Sequence, residues 1–580
     1  MFAPLALFAR ALVASLFVVA FAGLGACASW RKPKLCPEIT LDQKVDFTRS
    51  EILLLCGDPK SEAWEEIPRP QVLYHLKTFL LDRGYYAPKI TSPTGGDLFV
   101  ELGPSSELRR LEVTGWPGDL EPFSDRRFVG RRLDSALLDE IETDANARLR
   151  SEGYACPALE TRADAPMSHV TVRVRAGKRR LFGEIPRAKV DGFDTRLLER
   201  FEAFAADETY DPRLLVLSER RIRSKGFIQD AVYSPLCEGE EFRISLHPFV
   251  GKALFLSIGA GFDTEEWFLA RLRFSAQRLS ALGASVDTIL FASLLTQSAD
   301  VAVDLPFGDP SLRRSVYNQF TVKRQDTPSF ESVSLSGRAG YSRHFDTLPA
   351  SIDWRLGGVA EQVWTLRGQG PESTHFVAVE STLLSTSHLF EYWIDAPQEG
   401  YRWELGARAS FEALGSGFTA TRLKASVEHL GIVWEGPFAS LVWAKRAGLA
   451  QNIAPSGRLG LIPLPHRHYL GGSKDLRGFS RQELPRDGQG AANAAFLGNE
   501  LRVMRWLPIE PLLFVDVGTV NVGMARPNVP LYLSPGTGLR YRLPFGTVRG
   551  TAARGFSLSP RPEDRGRDHW EFFVSLGEEF

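Results

Sequence analysis

Gly471-Gly472-Ser473-Lys474-Asp475-Leu476-Arg477-Gly478-Phe479 lies in a long non-periodic segment between two strand-like runs. An arginine set between a leucine and a Gly-Phe pair is a poor choice for a plain connector. Gly478 permits a tight turn, and Arg477 presents a planar five-donor fork that matches a carboxylate. Downstream, Phe514-Val515-Asp516-Val517-Gly518 is strand-like and carries one acidic residue among apolar ones. The last run, Phe572-Phe573-Val574-Ser575-Leu576-Gly577-Glu578-Glu579-Phe580, alternates and closes on an aromatic residue. Chemistry alone leaves two readings of Arg477 and Asp516. They meet in a desolvated lumen, where a guanidinium strongly prefers a carboxylate, or an exposed loop arginine never reaches the aspartate.

From about residue 253 onward the apolar period is two. Val333, Leu335, Gly337, Ala339 and Tyr341 alternate with Ser332, Ser334, Ser336, Arg338 and Ser342. Trp403, Leu405, Ala407, Ala409 and Phe411 alternate with Arg402, Glu404, Arg408 and Ser410, and the run 270–277 behaves alike. One face suits lipid and the other water, as in transmembrane barrel strands. A soluble sandwich alternates too, but the length of the array, the missing helices and the terminal Phe580 favour a barrel over residues 251–580. Strand starts are expected near 253, 266, 284, 300, 315, 331, 350, 375, 401, 419, 438, 496, 511, 535, 547 and 569. That makes about 16 antiparallel strands, an even number, with the Arg477 segment between the eleventh and twelfth.

Composition agrees. Hydrophobic content of 44% is ordinary, as expected when alternating strands average out. Beyond the N-terminus no apolar run approaches the roughly 20 residues a spanning helix needs. A net charge of −1 argues against nucleic acid. Residues 1–28 read as a signal peptide, with Arg10 before an apolar stretch. Leu24-Gly25-Ala26-Cys27 fits a lipoprotein cleavage box with Cys27 lipidated; ordinary cleavage near Ala26-Cys27-Ala28 is the competing reading. Cys36, Cys56, Cys156 and Cys237 remain, an even number suited to an oxidising compartment, with connectivity open.

Between the leader and the array, three segments share an α+β plan: 36–104, 105–178 and 179–250. The first has a helix over Val72–Asp82 and a strand over Asp97–Leu102. In the second, a strand over Leu108–Gly115 precedes a helix over Asp134–Glu152 and a strand over Val170–Val174. The third starts with a strand at Gly183-Glu184-Ile185. Helices at Leu197–Ala206 and Pro212–Ser224 and a strand near Glu241–Leu246 follow. Helices in all three end at glycine followed by an aromatic: Gly84-Tyr85, Gly153-Tyr154 and Gly226-Phe227.

The loop motif Leu476-Arg477-Gly478-Phe479, the strand motif Phe514-x-Asp516-x-Gly518 and the aromatic end, in this order, resemble the BamA/TamA superfamily of outer-membrane assembly factors. The three N-terminal segments look like POTRA domains, and three of them fit TamA better than BamA. The resemblance implies that the loop folds into the lumen and that Arg477 meets Asp516. It implies a seam between first and last strands, where Gly259, Gly261 and Phe580 matter. It implies a bacterial outer-membrane location, with the POTRA domains periplasmic and lipid around the barrel. Unfolded outer-membrane proteins or autotransporter-like chains would be the clients. A periplasm-spanning TamB-like protein would dock on the first POTRA-like domain. A two-partner-type secretion pore and the barrel partner of a lipid-transfer protein are the alternatives. Gly536-Thr537-Gly538-Leu539-Arg540-Tyr541 also matches the family, whereas Val548-Arg549-Gly550-Thr551 departs from it where an aspartate is common. No enzyme signature, cofactor or metal site is expected. His466-Arg467-His468 has two histidines but too few further ligands, and Gly259-Ala260-Gly261 sits on a strand rather than before a helix.

Overall fold

The computed structural model describes residues 34–36, 39–57, 67–92, 97–187, 190, 193–238, 241–347, 349–392, 398–436, 439–455, 459–504, 509–521, 530–543, 546–558 and 568–577. Cys27 with the signal segment, and Phe580, lie outside them.

β1 (Lys34–Cys36), β2 (Ile39–Leu41), β3 (Lys89–Thr91) and β4 (Leu98–Glu101) form a sheet in the order β1–β2–β4–β3, with β2 parallel to β4. Helices Arg49–Cys56 and Arg69–Asp82 bury Leu55, Val72, Leu76 and Leu80 with Ile39, Leu41, Leu98 and Val100. The first helix is short and weakly periodic. Its signal is the capping box of Thr48 and Glu51.

Next, β5 (Arg110–Thr114), β6 (Ala158–Asp164) and β7 (His169–Arg175) form a sheet ordered β5–β7–β6, with the helix Ser135–Ser151 between β5 and β6 in sequence. One helix stands in this segment among the described residues. The chain before it is extended: Gly130 and Leu133 donate to the carbonyls of Leu108 and Ser106, and Leu108 donates to Arg131. Those amides are then lost to a helix.

The third segment holds the helix Pro212–Lys225 and a hairpin of β8 (Asp230–Glu238) and β9 (Glu241–Phe249). Gly226, at φ 67°, ends the helix in the left-handed conformation. Two expectations fail here. Gly183-Glu184-Ile185 is not a strand; buried Phe182 exchanges backbone hydrogen bonds with 207–208, and Pro186 has no N–H to extend a ladder. The helix expected over 197–206 is a 3-10 turn, Thr195–Arg200. Beyond it the amides of Ala203 and Ala205 go to Ser218 Oγ and Glu208 Oε2, at 2.8 and 2.9 Å, rather than to helical carbonyls.

The chain divides into two units, residues 1–113, 128–143 and 161–172 in one, and 114–127, 144–160 and 173–580 in the other. Within the second, Cys156 is disulfide-bonded to Cys237, a bridge from the middle segment to the third. Cys56 is disulfide-bonded as well, and the side chain of Cys36 lies outside the described residues.

From residue 254 the alternation closes into a barrel of sixteen antiparallel strands. They are β10 (Leu254–Asp263), β11 (Trp267–Ala276), β12 (Ser285–Ala292), β13 (Thr296–Pro306), β14 (Arg314–Asp326), β15 (Glu331–Thr347), β16 (Ala350–Arg367) and β17 (Ser373–Ser387). β18 (Gly400–Ser410), β19 (Ala420–Glu435), β20 (Ser440–Ile453), β21 (Asn493–Met504), β22 (Ile509–Asn521), β23 (Tyr532–Leu543), β24 (Gly546–Ser557) and β25 (His569–Gly577) complete it. Every start lies within about four residues of its sequence-based position, as soft element boundaries allow. β22 shows the two faces: Leu512, Phe514, Asp516 and Val520 are buried inward, while Leu513 and Val515 are exposed outward. Among the described residues no helix is long and apolar enough to cross a membrane.

Candidate functional site

Residues 454–492 join β20 to β21. Gly471 and Gly472 take φ of 114° and 121°, a region costly for side chains with a Cβ. They turn the chain so that Leu476 and Phe479 enter a small core with Leu470, Leu484, Ala494, Val520 and Tyr532. Leu476, Arg477 and Phe479 are thereby buried inside the barrel.

Among the described residues Arg477 is the largest fully buried side chain. Its Nε and Nη2 donate to the two Asp516 oxygens, each at 2.8 Å. Nη1 donates to Glu500 on β21. The guanidinium carbon stands 3.3 Å from the Phe514 ring centroid. Burial opposes the Arg477 charge; Asp516 and Glu500 overcome it and hold the group above its ordinary pKa.

Each position of the strand motif thus has a task. Phe514 supplies a face for the cation, Asp516 takes the fork, and Gly518 leaves room for Leu476, whose Cδ1 would lie 2.9 Å from a Cβ there. Neighbouring glycines serve the same end. Gly536 faces Phe514 in register, where any Cβ would collide with the ring, and a Cβ on Gly498 would stand 2.9 Å from Asp516 Oδ1. Gly478 passes so close to β24 that a Cβ would be 2.5 Å from the Gly555 nitrogen.

Glu500 was not legible as a site residue. It also accepts from Arg502 at 2.6 Å and Arg549 at 3.4 Å. Arg549 sits in the run that departs from the family pattern. The only local signal for Glu500 is an acidic residue at an inward position of an apolar strand. His466 bonds Glu361 and Arg422, each at 3.0 Å, and His468 is buried apart from it.

The seam is the second feature. β10 pairs β11 over ten residues, Leu254 to Asp263. It pairs β25 only at Phe262↔Leu576 and Asp263↔Ser575. Thr264 N donates to the Val574 carbonyl at 3.0 Å, and Val574 N to Thr264 Oγ1 at 3.2 Å. Gly259 and Gly261 therefore have no partner in β25 among the described residues. β10 starts where the third N-terminal segment ends, and sixteen strands return β25 to that same rim. The described pairing thus lies at the opposite rim, where the hairpin 264–266 and the 454–492 segment also lie.

The third segment grips the near rim. Arg221, on the helix Pro212–Lys225, takes both Asp346 oxygens at 3.1 Å and both Glu391 oxygens at 2.7 Å. Arg313 bonds Asp346 as well and donates Nε to the Glu199 carbonyl at 3.1 Å. Burial works against the Arg221 charge, but Glu391 and Asp346 raise its pKa further above the ordinary value.

Residues 394–580 match the Omp85 superfamily domain. No curated protein sequence matches the chain. Among solved structures, BamA from Haemophilus ducreyi lacking POTRA domains 1–3 aligns with a TM-score of 0.50 at 14% identity, over 78% of this chain and 94% of that one. CdiB from Escherichia coli aligns at 0.45 and 14%, over 88% and 97%, and CdiB from Acinetobacter baumannii at 0.43 and 14%, over 82% and 90%. The likeness to BamA is one of fold. The chain thus holds a closed sixteen-strand β-barrel whose C-terminal part matches the Omp85 superfamily domain.

Proposed function

We propose that this Omp85-type barrel is a TamA-like assembly factor that inserts or translocates other outer-membrane proteins by strand pairing at its seam. One observation carries the reading: among the described residues two register pairs join β10 to β25, against ten between β10 and β11. An unpaired stretch of strand presents free N–H and C=O groups, a template for an incoming strand. Leu254, Leu256 and Ile258 project outward from that stretch and are well exposed, so an added strand would meet lipid on the same side. Residues 36–104, 105–178 and 179–250 are taken as three POTRA-like domains that present unfolded clients to the barrel. Arg477, with Asp516 and Glu500, holds the lumen segment in place during this work.

The test is a lock on the seam. Asp263 and Ser575 face each other across it, so Asp263→Cys with Ser575→Cys forms a crosslink on oxidation. Insertion of a client barrel into proteoliposomes is then followed by its heat-modifiable gel mobility. The oxidised protein should stay folded and lose insertion, and reductant should restore it. Full insertion by completely crosslinked protein would refute seam opening and favour a secretion pore, which needs only its lumen.

A further inference from the structure

The segment 454–492 touches both walls of the seam from inside. On the β10 side, Ser473 N donates to Glu265 Oε1 at 3.1 Å, and its hydroxyl bonds the same carboxylate. Arg481 forms an ion pair with Glu266. Glu265 and Glu266 lie in the hairpin joining β10 to β11. Glu266 is itself anchored, accepting from Thr296 Oγ1 at 2.9 Å. On the β25 side, Ser480 Oγ donates to Glu571 Oε1 at 2.7 Å, Glu483 stands 3.4 Å from His569 Nε2, and the Phe479 and His569 rings meet at 5.9 Å.

We infer that this segment is a latch across the seam, so that full separation of β10 from β25 requires it to release one wall. The inference rests on the seam reading above for its purpose, though not for its geometry. The direct strand-to-strand contact among the described residues is two register pairs at the outer rim. Ser473, Ser480, Arg481 and Glu483 add side-chain bridges to both walls at that rim. Glu265 and Glu266 sit one and two residues beyond Thr264, and Glu571 three residues before Val574. Pulling the strands apart therefore stretches the Arg481–Glu266 and Ser480–Glu571 contacts directly. None of these bridges reaches the near end of β10, which makes the outer rim the pivot. The latch also links two events: a client that displaces the segment from the lumen unlocks the seam.

Hydrogen exchange of the whole protein in lipid nanodiscs tests this without a client. The readouts are the Thr264 and Val574 amides at the seam, the amides of 468–484, and the β16 amides as a control. Arg481→Glu and Glu266→Arg each break the ion pair, and the double exchange restores it with reversed sign. Each single change should speed seam and segment exchange about tenfold, the effect of one partly buried ion pair on the open population. β16 should not change, and the double variant should recover. Faster exchange in 468–484 with an unchanged seam would overturn the latch, as would no change in either. Failure of the double variant to recover would overturn it too. The outcomes separate from those of the crosslinking test. A latch that loosens the seam while locked protein still inserts clients would sink the assembly reading and leave the latch standing.

Discussion

Arg477→Ala removes the donor fork from two buried carboxylates at once, and their fates differ. Glu500 keeps Arg502 at 2.6 Å and Arg549 at 3.4 Å. Asp516, fully buried, keeps the backbone N–H of residue 477 at 3.3 Å and Arg446 at 3.8 Å, the latter beyond hydrogen-bond range. One buried carboxylate thus loses its bonded cation. Breaking a buried pair from one side costs about 3–5 kcal/mol. Because Glu500 is rescued, the lower end, about 3 kcal/mol, applies. That is roughly a 150-fold shift toward the released segment at 1.4 kcal/mol per decade. The barrel survives, since its ladders are untouched, and its heat-modifiable mobility should be unchanged. External protease should cut within 466–490 far faster than in the parent, in the regime where cutting follows the open population. Arg477→Lys should recover only part, because an ammonium cannot hold both Asp516 oxygens and Glu500 together. Asp516→Asn should behave like Arg477→Ala, and the double variant should cost little more than either alone. Independent, additive effects of the two single changes would refute the pairing argument.

Gly478→Ala should release the same segment with the ion pair intact, because the new Cβ would sit 2.5–2.7 Å from the backbone of 554–555. Overpacking of this kind costs about 1–3 kcal/mol, and parent-like protease resistance would contradict the close approach. Arg221→Ala should loosen the third segment from the barrel. Asp346 keeps Arg313 and His388, so the loss falls on Glu391, and exchange of the 212–225 amides should rise at least tenfold. Unchanged exchange there would show that the grip does not depend on this arginine.

The barrel was legible because its signal is local. Strand faces alternate with period two whatever the strands pair with, so Val333 to Ser342 or Trp403 to Ser410 declare a two-faced sheet by themselves. The helices Arg69–Asp82, Ser135–Ser151 and Pro212–Lys225 were legible for a similar reason, with apolar stripes ending at glycine. Arg477 and Asp516 stood out because an arginine between leucine and glycine, and one acid in an apolar run, are costly unless they meet.

What the sequence could not supply is anything set by distance in space alone. Glu500 looks like any lumen carboxylate until the segment folds inward and Arg477 arrives beside it. Gly259 and Gly261 mark a weakly packing first strand, but the register placing Phe262 and Asp263 against β25 follows from barrel closure, which no local pattern encodes. The pairing of Cys156 with Cys237, across two segments, is likewise a fact of domain packing. The absent strand at 183–185 and the shortened helix at 195–200 depend on Glu208 and Ser218 capturing backbone groups from a distance. Propensity and period determine which elements can form; partners brought together only by the tertiary fold decide which hydrogen bonds are made.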